Sequence, residues 1–502
     1  MEAQTRDNSF AGLETTHDEK QLHRKLKGRH LSMIAIGGSI GTGLFFASGS
    51  AVSQAGPGGA LLAYIIMGIL VYFMMTSLGE MATLIPSSGS FEDYANRFVD
   101  PAAGFAFGWS YWFGWAITLA AELIAGAFIV KFWFPDTSTT LWAAFFFIIL
   151  LSLNLFSVKL YGETEYWLSG IKVATVIIFI ITGILMITGL LNGHSVGFQN
   201  WTFDGQEAGK APFVGGFFTM LSVFLVAGFS FLGTEIVGLA AGESEEPQKN
   251  IPKAINTVFW RILIFYVATI AIIGFIVPFT DPRLLDGEIE NIAASPFTLV
   301  FQNAGFTAAA SLMNAVILTA VLSAGNSSLY TASRMLYAMG KSRSAPRIFT
   351  KVDKRGIPIY AVVATASVAG LSFLSSLIGD GKIYSIFYSA SGISGFITWF
   401  GIALCHYRFR KAYIVQGRNL DDLKYKSKFY PFGPLFAMVL SIIVIFGANL
   451  WVFQGDTFSW FDLVTNYCLV PIIILLYLGF KLKNKTKIVP LNECNFEYDY
   501  TK

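Results

Sequence analysis

Apolar residues run along this chain in long blocks separated by short polar connections. With about 20 apolar residues taken as one crossing of a bilayer, the blocks predict about twelve helices. They fall near 30–54, 60–84, 102–131, 139–158, 166–190, 214–241, 257–279, 305–339, 359–378, 384–406, 431–453 and 459–480. Two blocks are interrupted in the middle. Ile34 to Phe45 contains Gly37, Gly38, Ser39, Gly41, Thr42 and Gly43, and Ala227 to Glu235 reads Ala-Gly-Phe-Ser-Phe-Leu-Gly-Thr-Glu. Hydrocarbon cannot satisfy free backbone groups, so a break at that depth belongs in protein or against a wet cavity. Close helix packing through small residues, as in the Gly37/Gly41 pair, is the competing explanation.

The interrupted blocks are the first and the sixth, which makes them the opening members of two five-helix units. Paired broken helices in corresponding positions point to an inverted-repeat transporter. An odd number of spans per unit inverts the second unit, so the two breaks face each other at the centre. The predicted fold is all-α: a tail (1–27), a first repeat (28–190), an outer loop (191–212), a second repeat (213–410), two added helices (411–480) and a second tail (481–502). Half-helix N-termini attract anions and unwound carbonyls attract cations, so the pair suits a zwitterion.

Composition places all of this in a membrane. Of 502 residues, 54% are hydrophobic and 13% charged, and mean hydropathy is +0.57, whereas soluble domains are about one quarter charged. A net charge of +3 gives no reason to expect nucleic acid. Lys/Arg clusters at 23–29, 341–355 and 481–487 fall on one side if the spans alternate, and the positive-inside rule makes that side, with both termini, cytoplasmic. The loop with Asp281, Asp286, Glu288 and Glu290 is then outside, where it either favours cations or is simply solvated. Cys405, Cys468 and Cys494 have no metal-like or disulfide spacing. The five histidines lie in tails, loops or at span ends, so no catalytic set is apparent. The glycines at 37–43 follow no strand, which excludes a nucleotide loop.

The chain resembles the amino acid–polyamine–cation superfamily in its amino-acid permease branch. The likeness rests on Leu26-Lys27-Gly28-Arg29-His30 leading into Gly37 to Phe45, on Gly79-Glu80-Met81-Ala82, and on Pro86 to Phe91. It continues in Gly233-Thr234-Glu235, Ala240 to Pro247 and Asn250 to Ala254; the Gly-Thr-Glu stretch with Ala240 to Glu245, and later Phe259 to Leu263, bring it nearest to the lysine-specific bacterial members. The resemblance implies a LeuT-like fold and a substrate carboxylate held at Ser39, Gly41, Thr42 and Gly43. The α-amino group would then lie near Phe229, Ser230 and Phe231, with Phe229 or Phe231 as a gate.

Charged residues inside the apolar blocks carry the remaining expectations. A lone ammonium at depth costs about 3 kcal/mol or more, so Lys172 either faces the interior or snorkels to the headgroups from a span end. The resemblance puts Lys172 where sodium-coupled relatives hold their ion, which implies H⁺ rather than Na⁺ as the coupling ion, with Ser323 or Ser327 as its partners. Those two serines are equally suited to helix packing. Glu235 can pair with a cationic side chain, carry the proton, or steady the unwound segment. Tyr111, Trp115, Thr118 and Glu122 share one face of the third helix; the rings can offer cation–π faces or simply pack, and Glu122 can support the site or the proton.

The reading is therefore a multi-pass cell-membrane symporter that imports L-lysine with protons by alternating access and needs no cofactor. Other basic, aromatic or neutral amino acids are the alternatives, as is a sensor that works with a regulatory membrane partner.

Overall fold

The computed structural model describes residues 29, 33, 40–87, 89–156, 158–191, 193, 195–206, 209–285, 295–305, 307–374, 379–453 and 459–497. Ser39, with Gly37 and Gly38, lies outside the described residues, as do the N-terminal tail to Gly28, His30, His194, Asp286, Glu288 and Glu290. Apart from an isolated bridge between Asp204 and Lys210, the regular structure among the described residues is helical.

The first helix, α1 (Gly43–Leu84), opens on a π turn over Gly43–Ala47, one residue, the helical Thr42, after the non-helical Ile40 and Gly41. It is interrupted at Gly56, whose φ of 73° and ψ of 171° precede Pro57. The amides freed there do not face hydrocarbon: Gly58 N and Gly59 N donate to Pro212 O at 2.9 and 3.3 Å, and Val214 N donates to Ala55 O. The connecting loop supplies what the broken helix lacks. A short amphipathic helix, α2 (Ser90–Phe98), follows, with Glu92 and Asp93 in its first turn and Arg97 in its last, which suits the helix dipole.

Next comes α3 (Pro101–Lys131), started by Asp100, whose carboxylate accepts from Ala102 N at 2.8 Å, and by Pro101 in the first turn. It is the central post, touching α10 (Thr307–Lys341), α12 (Asp380–Val415) and α4 (Thr139–Phe156). By contrast α4 and α5 (Val158–Ile187) present Leu141, Phe145, Ile148, Ile178 and Ile184 outward, as a lipid-facing flank must.

The sixth block forms α6 (Gly216–Phe231), a break, and α7 (Ile236–Ala240). The sequence placed this break from Ala227 onward, but the helix holds through Phe231. Unwinding starts at Leu232 (ψ 143°) and passes through Gly233, whose φ of 93° only glycine adopts without strain. Beyond it run α8 (Pro247–Arg261, continued by a π stretch over Ile262–Val267 to Ile276), α9 (Pro296–Asn303), α11 (Ile359–Ala369), α13 (Phe432–Gly447), α14 (Trp460–Tyr467) and α15 (Leu469–Asn484).

Among the described residues nine helices are long and apolar enough to cross a membrane, or ten if α14 and α15, bent by 52°, form one span. The chain is an all-α membrane protein. At 42 residues, α1 is long enough for two crossings at 1.5 Å per residue, and α11 is a shorter apolar helix.

Two polar clamps hold one end of the bundle. Fully buried Glu80 of α1 accepts from Nε of Arg410 of α12 at 2.6 Å, from its Nη2, and from Ser427 N at 2.7 Å. His406, expected at a span end, is instead fully buried within α12, its Nε2 3.3 Å from Glu80. The second clamp is the C-terminal segment. Phe496 packs on Phe98, Phe409 and Tyr413, Gln416 donates to Leu491 O and Cys494 O, and Val489 N donates to Val99 O.

Candidate functional site

The two interrupted helices meet backbone to backbone. A Cβ added at Gly43 would lie 2.5 Å from Ser230 Cα and 2.9 Å from Ser230 N, a separation that only a hydrogen in place of a side chain permits. The start of α1 therefore sits against the last turn of α6, with Tyr64 Oη 2.7 Å from Ser230 Oγ. Gly41 is nearly as confined, by Ala324 Cβ and Glu122 Oε1.

One face of α3 runs past this crossing and reaches both flanking carboxyls, that of Glu235 through Tyr111 and that of its own Glu122. At one end, Tyr111 Oη donates to Glu235 Oε1 at 3.4 Å, while Trp399 Nε1 donates to Oε2 at 3.3 Å and Gly233 N to Oε1 at 3.4 Å. Glu235 is 1% exposed, so a residue immediately after the break is held by one amide of that break and by two aromatic donors. Trp115 stands edge-on to Tyr111, with centroids 6.1 Å apart. Two α3 turns further along from Trp115, Thr42 Oγ1 donates to Glu122 Oε1 at 2.9 Å. The second oxygen of Glu122, although buried, makes no hydrogen bond among the described residues.

Lys172 lies behind that carboxyl. Helix α5 starts at Val158 rather than near 166, so Lys172 sits about four turns in, and its side chain is 0% exposed. This removes the snorkelling alternative. Its ammonium is 3.6 Å from Glu165 Oε1, also fully buried. Ser323 donates to both oxygens of Glu165, at 2.8 and 2.7 Å, and Ser169 donates to Oε1 at 3.1 Å. Ser323 thus meets the partner of Lys172, whereas Ser327 pairs with Tyr161 at 3.3 Å.

The rings at the sixth break point apart. Phe229 packs on Tyr388 with centroids 4.3 Å apart, and Phe231 packs on Tyr266 at 4.2 Å. A cavity bordered by Tyr111, Trp115, Thr118, Leu232, Glu235 and Ser391 holds about 10 Å³ for the centre of a water molecule, barely what one water requires. A space of that size does not hold an amino acid, so the described residues are closed together at this point.

Residues 30–493 match the amino acid permease family. The chain belongs to that family. The permease is 51% identical over 482 residues to the lysine-specific permease LysP of Escherichia coli (strain K12), covering 96% of this chain and 98% of that one. It is 50% identical to the lysine-specific permease LysP of Lactococcus lactis subsp. cremoris (strain MG1363), covering 95% and 93%. With the histidine permease HisP of the same Lactococcus strain it shares 47%, covering 95% and 98%. Membership fits the LeuT-like fold that the resemblance implied, and the permease is a multi-pass membrane protein.

Glu165, Trp399 and Tyr64 join the site without having been singled out from sequence. Glu165 precedes Lys172 by seven residues, two turns on one helix face, a signal masked by starting the span at 166. Trp399 and Tyr64 sit in apolar blocks, where an aromatic residue carries no mark of a polar role.

Proposed function

We propose that the permease imports L-lysine together with protons by alternating access, with both termini in the cytoplasm. The observation that carries this reading is the direct Gly43–Ser230 backbone contact flanked by the buried carboxyls of Glu122 and Glu235. The substrate carboxylate meets the amides that begin α1, and the α-ammonium meets the carbonyl end of α6, in keeping with the polarity of the two half-helices. Glu235 faces the side-chain ammonium of lysine. The pair Lys172–Glu165 and Glu122, which accepts from Thr42, form the proton-handling group. The names of the two lysine-specific relatives support the cargo.

Uptake of radiolabelled lysine into proteoliposomes tests the proposal. A proton gradient should drive it, a proton ionophore should abolish it, and removing sodium should leave it unchanged. Unlabelled lysine should compete and phenylalanine should not. Uptake indifferent to the ionophore would sink the coupling, and competition by histidine alone would favour a second reading, histidine as cargo, for which 47% identity to HisP speaks.

A further inference from the structure

Arg261 stands in α8 at the point where the α-helical ladder widens into the π stretch over Ile262–Val267. Such widened turns gather at functional sites. The residue is turned inward and is 1% exposed. Its Nη2 donates to Thr234 Oγ1 at 3.2 Å, and Thr234 Oγ1 donates in turn to Phe231 O. The guanidinium also lies 5.8 Å from the ring centroid of Tyr266, on which Phe231 packs. A permanent cation is thus tied to the unwound segment one residue before Glu235, within electrostatic reach of that carboxylate. The central cavity is bordered from α3, α12 and the break itself, whereas Arg261 arrives from α8 and meets the break through Thr234.

Glu235 is met by donors. The Tyr111 hydroxyl, the Trp399 indole and the Gly233 amide all point hydrogens at it, the arrangement an ionised, acceptor-only carboxylate takes. The adjoining cavity admits barely one water, so a cation from solution has no room beside Glu235 while the bundle is closed. A carboxylate stranded in that way is strongly destabilising. Two other buried charges in the bundle come with a built-in opposite, Lys172 with Glu165 and Arg410 with Glu80.

We propose that Arg261 is the resident counter-charge of Glu235, and that it lets the emptied carrier close and cross back with that carboxylate ionised. In the loaded carrier the side-chain ammonium of lysine stands at Glu235 and supplies a cation of its own, so the loaded crossing depends far less on Arg261. The inference rests on the reading of the permease as a lysine carrier in which Glu235 faces that ammonium. Arg261 is a positioning residue: it acts through the break and not on the cargo.

Two assays on the full chain in proteoliposomes separate the two crossings. Net proton-driven uptake of radiolabelled lysine requires the empty carrier to return, while exchange of external label for internal unlabelled lysine does not. Arg261→Gln should lower net uptake by about tenfold or more, the effect of stranding one buried charge. Its exchange rate and the KM for exchange should stay close to those of the wild type. Arg261→Lys, which keeps the charge, should retain most of the net uptake. Equal loss of net uptake and exchange in Arg261→Gln would make Arg261 a part of the scaffold or the binding site and overturn the proposal. Wild-type net uptake in Arg261→Gln, or a defect in Arg261→Lys as deep as in Arg261→Gln, would overturn it too. A wild type that neither takes up nor exchanges lysine would overturn the carrier reading itself.

Discussion

Replacing Gly43 by alanine puts the meeting of the two interrupted helices to the test. The new methyl carbon would stand 2.5 Å from Ser230 Cα, 2.9 Å from its N and 3.1 Å from Phe229 Cδ1, where ordinary contact begins at 3.4 Å. The shortfall against the Cα is 0.9 Å, and the obstructing atom is main chain inside α6, so no side-chain rotation relieves it. Helices α1 and α6 must part by nearly 1 Å. Overpacking of this kind costs about 1–3 kcal/mol, and because the closed arrangement bears the strain, its population relative to an opened one falls about 5- to 150-fold. Gly41→Ala is the comparator. Its nearest atoms, Ala324 Cβ at 3.0 Å and Glu122 Oε1 at 3.3 Å, both belong to side chains, and the larger shortfall is 0.4 Å. Initial uptake rates in proteoliposomes, paired with thermal midpoints in detergent, should show Gly43→Ala losing most transport and Gly41→Ala far less. Wild-type uptake in Gly43→Ala, or a worse defect in Gly41→Ala, would refute the claim that the two backbones touch in the working cycle.

Three further outcomes are expected. Glu165→Gln should impair proton-driven uptake about as much as Lys172→Ala, and the double substitution should add little to either, since the two side chains form one buried unit; independent effects in a cycle of uptake measurements would separate them. Arg410→Ala should cost about 3–5 kcal/mol of stability by stranding the Glu80 carboxylate, with Glu80→Gln/Arg410→Ala partly restoring the thermal midpoint. Burial raises the Glu92 carboxyl above its ordinary value of 4.5, against the hydrogen bonds from Ser342, Ser344 and Asn96. Folding therefore takes up a proton, and Glu92 favours the folded state less as pH climbs from that ordinary value through the raised one. Glu92→Gln should flatten the fall in thermal midpoint over that range.

Hydropathy made the apolar helices and their order legible, because a bilayer demands long uniform blocks and the chain provides them. The face of α3 was legible too: Tyr111, Thr118 and Glu122 follow helical spacing, and each touches a different partner, Glu235, Ser391 and Thr42. What periodicity could not tell was where unwinding starts. Small residues at Ala227 and Gly228 looked like a break, yet they remain helical, since Gly228 is needed for close packing against the Phe396 ring, 2.3 Å from where a Cβ would be. The Lys172–Glu165 pair escaped because one acid at the edge of an apolar block shifts its apparent start.

The folded-back residues 485–497 have an implication for biogenesis. They are the last described stretch to leave the ribosome, yet Phe496 and Gln416 tie them to α2 and α12, which are synthesised much earlier. This packing thus waits until residues 485–497 have been synthesised, and a chain cut short after Asn484 would expose the Phe98–Phe409–Tyr413 surface to quality-control proteases. Steady-state abundance of such a truncation, compared with the intact chain, would reveal whether this late closure acts as a seal on correct assembly.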